Sequence, residues 1–189
     1  MLADRATVEA VAAALDRAKL PALVVDPVMV ATSGDVLLAP EAIDAVRHRL
    51  IPLADLITPN LPEAARLLDE PVAQSEGAME EQGRRLMRLG ARAVLIKGGH
   101  GSTAEAVDIL VTGGGVERLA KPRIETKNTH GTGCTLSAAI TAFLAGGSPL
   151  QEAVRKGKAF VWEAISAGRN LEIGQGAGPV DHIFGFAKK

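Results

Sequence analysis

The feature that most constrains this chain is a set of short apolar runs that do not alternate with polar residues. "ALVVDP" (22–27), "ADLITPN" (54–60) and "RAVLIKGG" (92–99) are each of strand length, and each breaks at proline, glycine or a polar residue. A half-exposed strand alternates; a continuous run is buried on both faces, as in a parallel sheet covered by helices. Helical spacing fills the intervals. Residues 7–19 place Val8, Val11, Ala12 and Leu15 on one face, with Thr7 or Asp4 to cap the start and Pro21 to stop it. "VMVATSGDVLLAP" (28–40) reads as a loop, and a helix then opens with Pro40 in its first turn. Residues 61–69 give a short helix, and 75–90 a longer one that closes on Gly90. From Val107 to Ile124 the pattern is mostly strand, with Gly113, Gly114 and Gly115 marking a hairpin. Two helices, about 133–145 and 149–167, and a glycine-rich tail complete the order. Helices alternating with buried strands predict an open α/β sheet with helices on both faces. No repeat, low-complexity tract or linker interrupts it, so 1–189 reads as a single domain.

Composition removes several function classes. Aromatic residues are only 3%, with no Tyr and one Trp, which leaves no platforms for stacking bases. Net charge is −1 and the basic residues form no long run, so no nucleic-acid partner is expected. One cysteine cannot make an internal disulfide, and zinc would need more ligands near it. The start lacks a basic segment followed by an apolar one, and no apolar stretch approaches the ~20 residues that span a bilayer. A soluble, reduced, cytoplasmic protein with no membrane partner is the expectation.

In open α/β sheets ligands bind beyond the carboxyl ends of the strands. Here those ends carry Asp26, then Asn60 and Glu63, then Lys97, and the last strand leads into "TKNTHGTGCTLSAAI" (126–140). Gly131 and Gly133 permit a tight turn and a close backbone approach. The first N–H groups of the helix that follows have no partner within it, and its dipole favours an anion. Thr132 and Thr135 add hydroxyls. The spacing is not that of G-x-x-x-x-G-K-[ST], and the third glycine of the dinucleotide fingerprint is absent. Cys134 sits where a thiolate is favoured, which suits a base or nucleophile, although a lone cysteine also serves as a small buried hydrophobe. Asn60 and Glu63, three apart at a helix start, fit a capping box and also a Mg²⁺ site beside phosphates. Asp26 fits a turn or the same cation site, and Lys97 suits a phosphate oxygen. His100 and His130 have no metal-ligand spacing and read as loop residues.

Together "VVDPVMVATSGDVLL", "LITPNLPEAARLL", "AVLIKGGHG" and "TKNTHGTGCTLSAAI" resemble the hydroxymethylpyrimidine/phosphomethylpyrimidine kinases of thiamine biosynthesis, within the ribokinase-like superfamily. The resemblance runs from Met1 to about Val180; most of the superfamily carries aspartate where Cys134 stands. It implies a three-layer α/β/α sandwich with a mostly parallel sheet. It implies phosphorylation of 4-amino-5-hydroxymethyl-2-methylpyrimidine, then of its monophosphate, with ATP and Mg²⁺ as cofactors. On matching positions, Gly131, Thr132, Gly133 and Cys134 form the anion hole for the transferring phosphoryl group. Lys97 neutralises phosphate charge, Asn60, Glu63 and Thr126 lie on the nucleotide side, and Asp26, Asn60 and Glu63 organise the metal. Val28 and Met1 line the pyrimidine pocket. The family also opens with a segment of the type G-x-D-x-S-G-G-A-G and further strands, to which nothing in this chain corresponds. The expectation is an N-terminally short chain whose exposed strand edge and helix faces favour a homo-oligomer. The alternatives are a pyridoxal-type vitamin kinase, a non-catalytic nucleotide-binding remnant and, more distantly, a nicotinamide oxidoreductase.

Overall fold

The computed structural model describes residues 2–18, 20–29, 38–99 and 104–186. Their order is α1 (Arg5–Ala18), β1 (Val24–Val25), α2 (Pro40–Ala45), β2 (Leu56–Ile57), α3 (Leu61–Leu68), α4 (Glu76–Met87), β3 (Ala93–Lys97), β4 (Glu105–Thr112), β5 (Gly115–Pro122), α5 (Thr132–Ala145) and α6 (Leu150–Gly168). The elements follow the predicted order. Most of the loop predicted over 28–40, along with Met1 and His100, lies outside the described residues.

Local chemistry explains the starts and stops. Asp4, not Thr7, caps α1: its Oδ1 accepts the Thr7 N–H at 2.8 Å. The helix predicted to open at Pro40 begins as α2 and then loosens into a π turn (Val46–Leu50) and a 3-10 turn (Ile51–Leu53). From that π turn Arg47 donates to the carbonyls of Leu67 and Arg66 at 2.7 and 2.6 Å, satisfying the open end of α3. Ser75 caps α4 by accepting the Ala78 N–H.

The five strands form one sheet in chain order. β1, β2 and β3 are parallel; β4 runs antiparallel to β3 with Lys97 opposite Asp108, and β5 returns from β4 through Gly113 and Gly114. The sheet is therefore mixed, not mostly parallel: β4 and β5 are the predicted hairpin, and the antiparallel pairing of β4 with β3 is additional to it. β1 and β2 are only two residues long, shorter than their apolar runs. Pro27 and Pro59 follow them closely and have no N–H to extend a ladder. Ala93, Val94, Leu95 and Ile96 are each 0% exposed, so β3 is buried on both faces, as its unbroken apolar run predicts.

The described chain divides into two compact units. One comprises residues 1–102 and 106–120, and the other 103–105 and 121–189. The first holds the sheet and its helices around a core that includes Val8, Met29, Ile51, Ile57, Leu86 and Ile96. The second is built on α5 against α6, where the absence of a side chain at Gly157 admits Ile140. No helix among the described residues is long and apolar enough to cross a membrane.

Candidate active site

In the first unit the strand ends bring four predicted residues together. Asp26 follows β1, Asn60 and Glu63 follow β2, and Lys97 ends β3. Lys97 Nζ donates to Asp26 Oδ1 at 2.7 Å, and both side chains are nearly buried, at 12% and 13% exposure. Thr58, wholly buried, donates its hydroxyl to the same carboxylate oxygen at 3.1 Å. Beside them the capping box is complete. The Asn60 side chain accepts the Glu63 N–H at 2.9 Å, and Glu63 Oε2 accepts the Asn60 N–H at 2.8 Å. Val28 is half-buried next to this cluster in sequence, with its N–H turned back to the Asp26 carbonyl at 2.9 Å.

Glu63 is only 3% exposed. Burial raises its pKa and the Asp26 charge adds to that, while Lys97 and backbone N–H groups of Asn60 and Met29 pull the other way. Such a carboxylate is ionised most easily when a cation stands near it. Among the described residues no group of three or more His, Cys, Asp or Glu could cage a metal. The fit is to a hard ion held by one or two carboxylates together with water and phosphate oxygens, which is how Mg²⁺ is usually bound. Asp26 and Glu63 are the carboxylates in this cluster, and the Asn60 N–H holds Glu63 Oε2 at 2.8 Å.

In the second unit α5 opens on Gly131, whose φ of 82° and ψ of 4° lie in the left-handed region that glycine occupies without strain. The Gly131 carbonyl accepts both the N–H and the hydroxyl of Thr135, at 2.9 and 2.8 Å. Thr132, Gly133 and Cys134 then form the first turn, where N–H groups point off the helix end. The Cys134 thiol is exposed, not packed as a small hydrophobe.

The loop leading to this turn is anchored by residues the sequence motif contains but does not explain. Asn128, 1% exposed, donates to the carbonyls of Gly168 and Leu171 at 2.8 and 2.7 Å. Gly178 lies so close to the Asn128 side chain that any larger residue there would collide with it. Thr126 donates its hydroxyl to the Arg169 carbonyl at 2.9 Å and accepts the Asn128 N–H at 3.0 Å. Thr126 is thus engaged in holding the loop to the end of α6. Met1 lies outside the described residues.

An α/β sheet with charged groups at its strand ends and a glycine-led helix is the architecture of ribokinase-like vitamin kinases. Bacillus subtilis pyridoxal kinase, solved as an ADP complex, superposes with a TM-score of 0.91 over 100% of this chain and 70% of that one, at 37% identity. The sequence profile described as phosphomethylpyrimidine kinase matches residues 1–181. Hydroxymethylpyrimidine/phosphomethylpyrimidine kinases of Rhizobium meliloti and Salmonella typhimurium are 54% and 50% identical over 183 residues, 97% of this chain and 68% and 69% of theirs. This chain belongs to the phosphomethylpyrimidine kinase family.

Proposed function

We propose that this protein transfers the γ-phosphoryl group of ATP to the hydroxymethyl oxygen of 4-amino-5-hydroxymethyl-2-methylpyrimidine, and then phosphorylates the resulting monophosphate to the diphosphate. The observation that carries the reading is the glycine-led start of α5 with Cys134 in its first turn, in a chain about half identical to kinases named for these substrates. Phosphoryl transfer asks a protein for position and charge stabilisation more than for covalent chemistry. The N–H groups of the α5 first turn suit the equatorial oxygens of the moving phosphoryl group. The substrate oxygen forms the new bond to phosphorus as the bond to the ADP oxygen breaks. Its proton leaves to a base, and the exposed side chain of Cys134 in the first turn of α5 is the group suited to take it.

In the first unit, Lys97 offers the charge that neutralises nucleotide phosphates, and its bond to Asp26 holds the ammonium in a fixed place until then. Asp26 and Glu63, with Asn60 as orienting partner, would hold Mg²⁺, which supplies charge neutralisation of the phosphates when bound. Thr126 keeps the approach to the glycine loop in place on the nucleotide side. Val28 lines the pyrimidine side.

A second reading rests on the pyridoxal kinase superposition. Release of ADP from Mg·ATP, measured with the pyrimidine alcohol and with pyridoxal in parallel, separates the two. We expect kcat/KM at least tenfold higher for the pyrimidine; the reverse order would assign the chain to pyridoxal, and release with neither would remove both.

A further inference from the structure

We propose that His182, in the tail beyond α6, is a positioning residue for the glycine loop, acting through Thr135. It rests on the reading of that loop as the phosphoryl-transfer site. The contact spans 47 residues: Thr135 Oγ1 and His182 Nε2 are 2.8 Å apart. A threonine hydroxyl has a single hydrogen, and here it is directed to the Gly131 carbonyl at 2.8 Å. The bond to the histidine is then satisfied only when Nε2 carries a hydrogen and donates. In this relay His182 donates to Thr135, and Thr135 donates to Gly131.

The end of this relay is the part of the loop where geometry matters most. Gly131 is left-handed, a conformation with neighbours of similar energy for glycine, so something outside its own backbone must hold it. Its carbonyl belongs to the planar peptide that begins α5, and fixing that carbonyl fixes the planes of the first turn. The directions of the Gly133 and Cys134 N–H groups follow. Polarising the Thr135 hydroxyl from behind strengthens its grip on that carbonyl.

The tail is built to hold the imidazole. The His130 N–H donates to the Gly178 carbonyl at 3.0 Å, joining the loop to the tail before His182. The Asp181 N–H donates to the Ala164 carbonyl of α6 at 3.0 Å, and the Asp181 carboxylate accepts the Ile183 N–H at 2.9 Å, so both neighbours of His182 are tied. Phe184 then packs on Phe160 with ring centroids 5.2 Å apart. The ring reaches a threonine that is itself only 8% exposed, while the rest of His182 faces solvent. A residue so exposed contributes little burial; what it offers is the donor.

The test compares wild type with His182→Ala, His182→Gln, Thr135→Val and the His182→Ala/Thr135→Val double variant. Steady-state kinetics with the pyrimidine alcohol and Mg·ATP are measured alongside phosphate-induced shifts of the Gly133 and Cys134 amides by NMR. We expect His182→Ala and Thr135→Val each to lower kcat about five- to tenfold, with KM for ATP within about twofold, as for an interaction realised in the transition state. Glutamine, whose amide nitrogen reaches the Nε2 position, restores most of the loss. The double variant is no slower than Thr135→Val alone, because the two act in series. Alanine at 182 with unchanged kcat and unchanged phosphate response, or independent additive losses, would overturn the proposal. If wild type does not turn over the pyrimidine, the functional reading fails, and the phosphate response still decides the positioning role. If the alanine variant does not fold, ring nitrogen shifts of wild type at pH 8 decide it: a proton on Nε2 supports the relay, and one on Nδ1 alone refutes it.

Discussion

Glu63 accepts two backbone N–H groups, sits beside Lys97 and Asp26, and is buried to 3% exposure. Burial is the largest influence and raises its pKa above the ordinary 4.5. The folded state therefore holds the Glu63 proton more tightly than the unfolded chain does. Its contribution to stability is complete below about 4.5 and is lost as pH rises through the folded value. Glu63→Gln keeps an acceptor for the Asn60 N–H and removes the charge. Thermal melts in EDTA between pH 4 and 8 should show the variant at least as stable as wild type near neutrality, the gap closing toward the acid end. Turnover should fall about tenfold or more, because a ligand or orienting group of the proposed cation site is lost. At this scale the sequence was informative where partners are close along the chain. The Asn60–Glu63 box is three residues apart and legible as a pattern. Lys97 and Asp26 are 71 apart, and the sequence marks both as strand-end groups without showing their bond to each other. Thr58, Asn128 and His182 were missed as functional groups, since each acquires its role from a partner more than 30 residues away.

The elements follow from patterns that need no long-range information. Unbroken apolar runs place β1, β2 and β3, and prolines explain why the first two are so short. The weakening of α2 into a π turn was not legible: it is stabilised by Arg47 reaching the end of α3, a tertiary bond. The α5–α6 pair shows the same limit. Gly157 lies within α6, where glycine is unfavourable by propensity, and the reason is a neighbouring helix. A methyl group there would lie 2.6 Å from Ile140 Cγ1 and 3.3 Å from the Ile140 nitrogen. Gly157→Ala should therefore destabilise by about 1–3 kcal/mol in spite of its better helix propensity. Chemical denaturation measures this. Combining it with Ile140→Ala should cost less than the two separate losses added together, because the smaller residue makes room for the methyl group.

At the scale of the molecule, near-neutral charge, scarce aromatics and strand-end polar groups point to a small-molecule enzyme, and family membership agrees. Nearly buried Asp26 and Lys97 lie in one compact unit, and the glycine-led helix with Cys134 lies in the other. The chain covers about two thirds of the length of its relatives, 68% and 69% for the two compared above. The central claim is that phosphoryl groups are transferred from ATP to the pyrimidine alcohol in two successive steps. Phosphorus NMR of the protein mixed with Mg·ATP and 4-amino-5-hydroxymethyl-2-methylpyrimidine tests it most directly. A monophosphate ester resonance should rise first and a diphosphate pair grow from it, each with matching ADP. ATP signals that stay unchanged, or decay to ADP and inorganic phosphate with no pyrimidine ester formed, would contradict it.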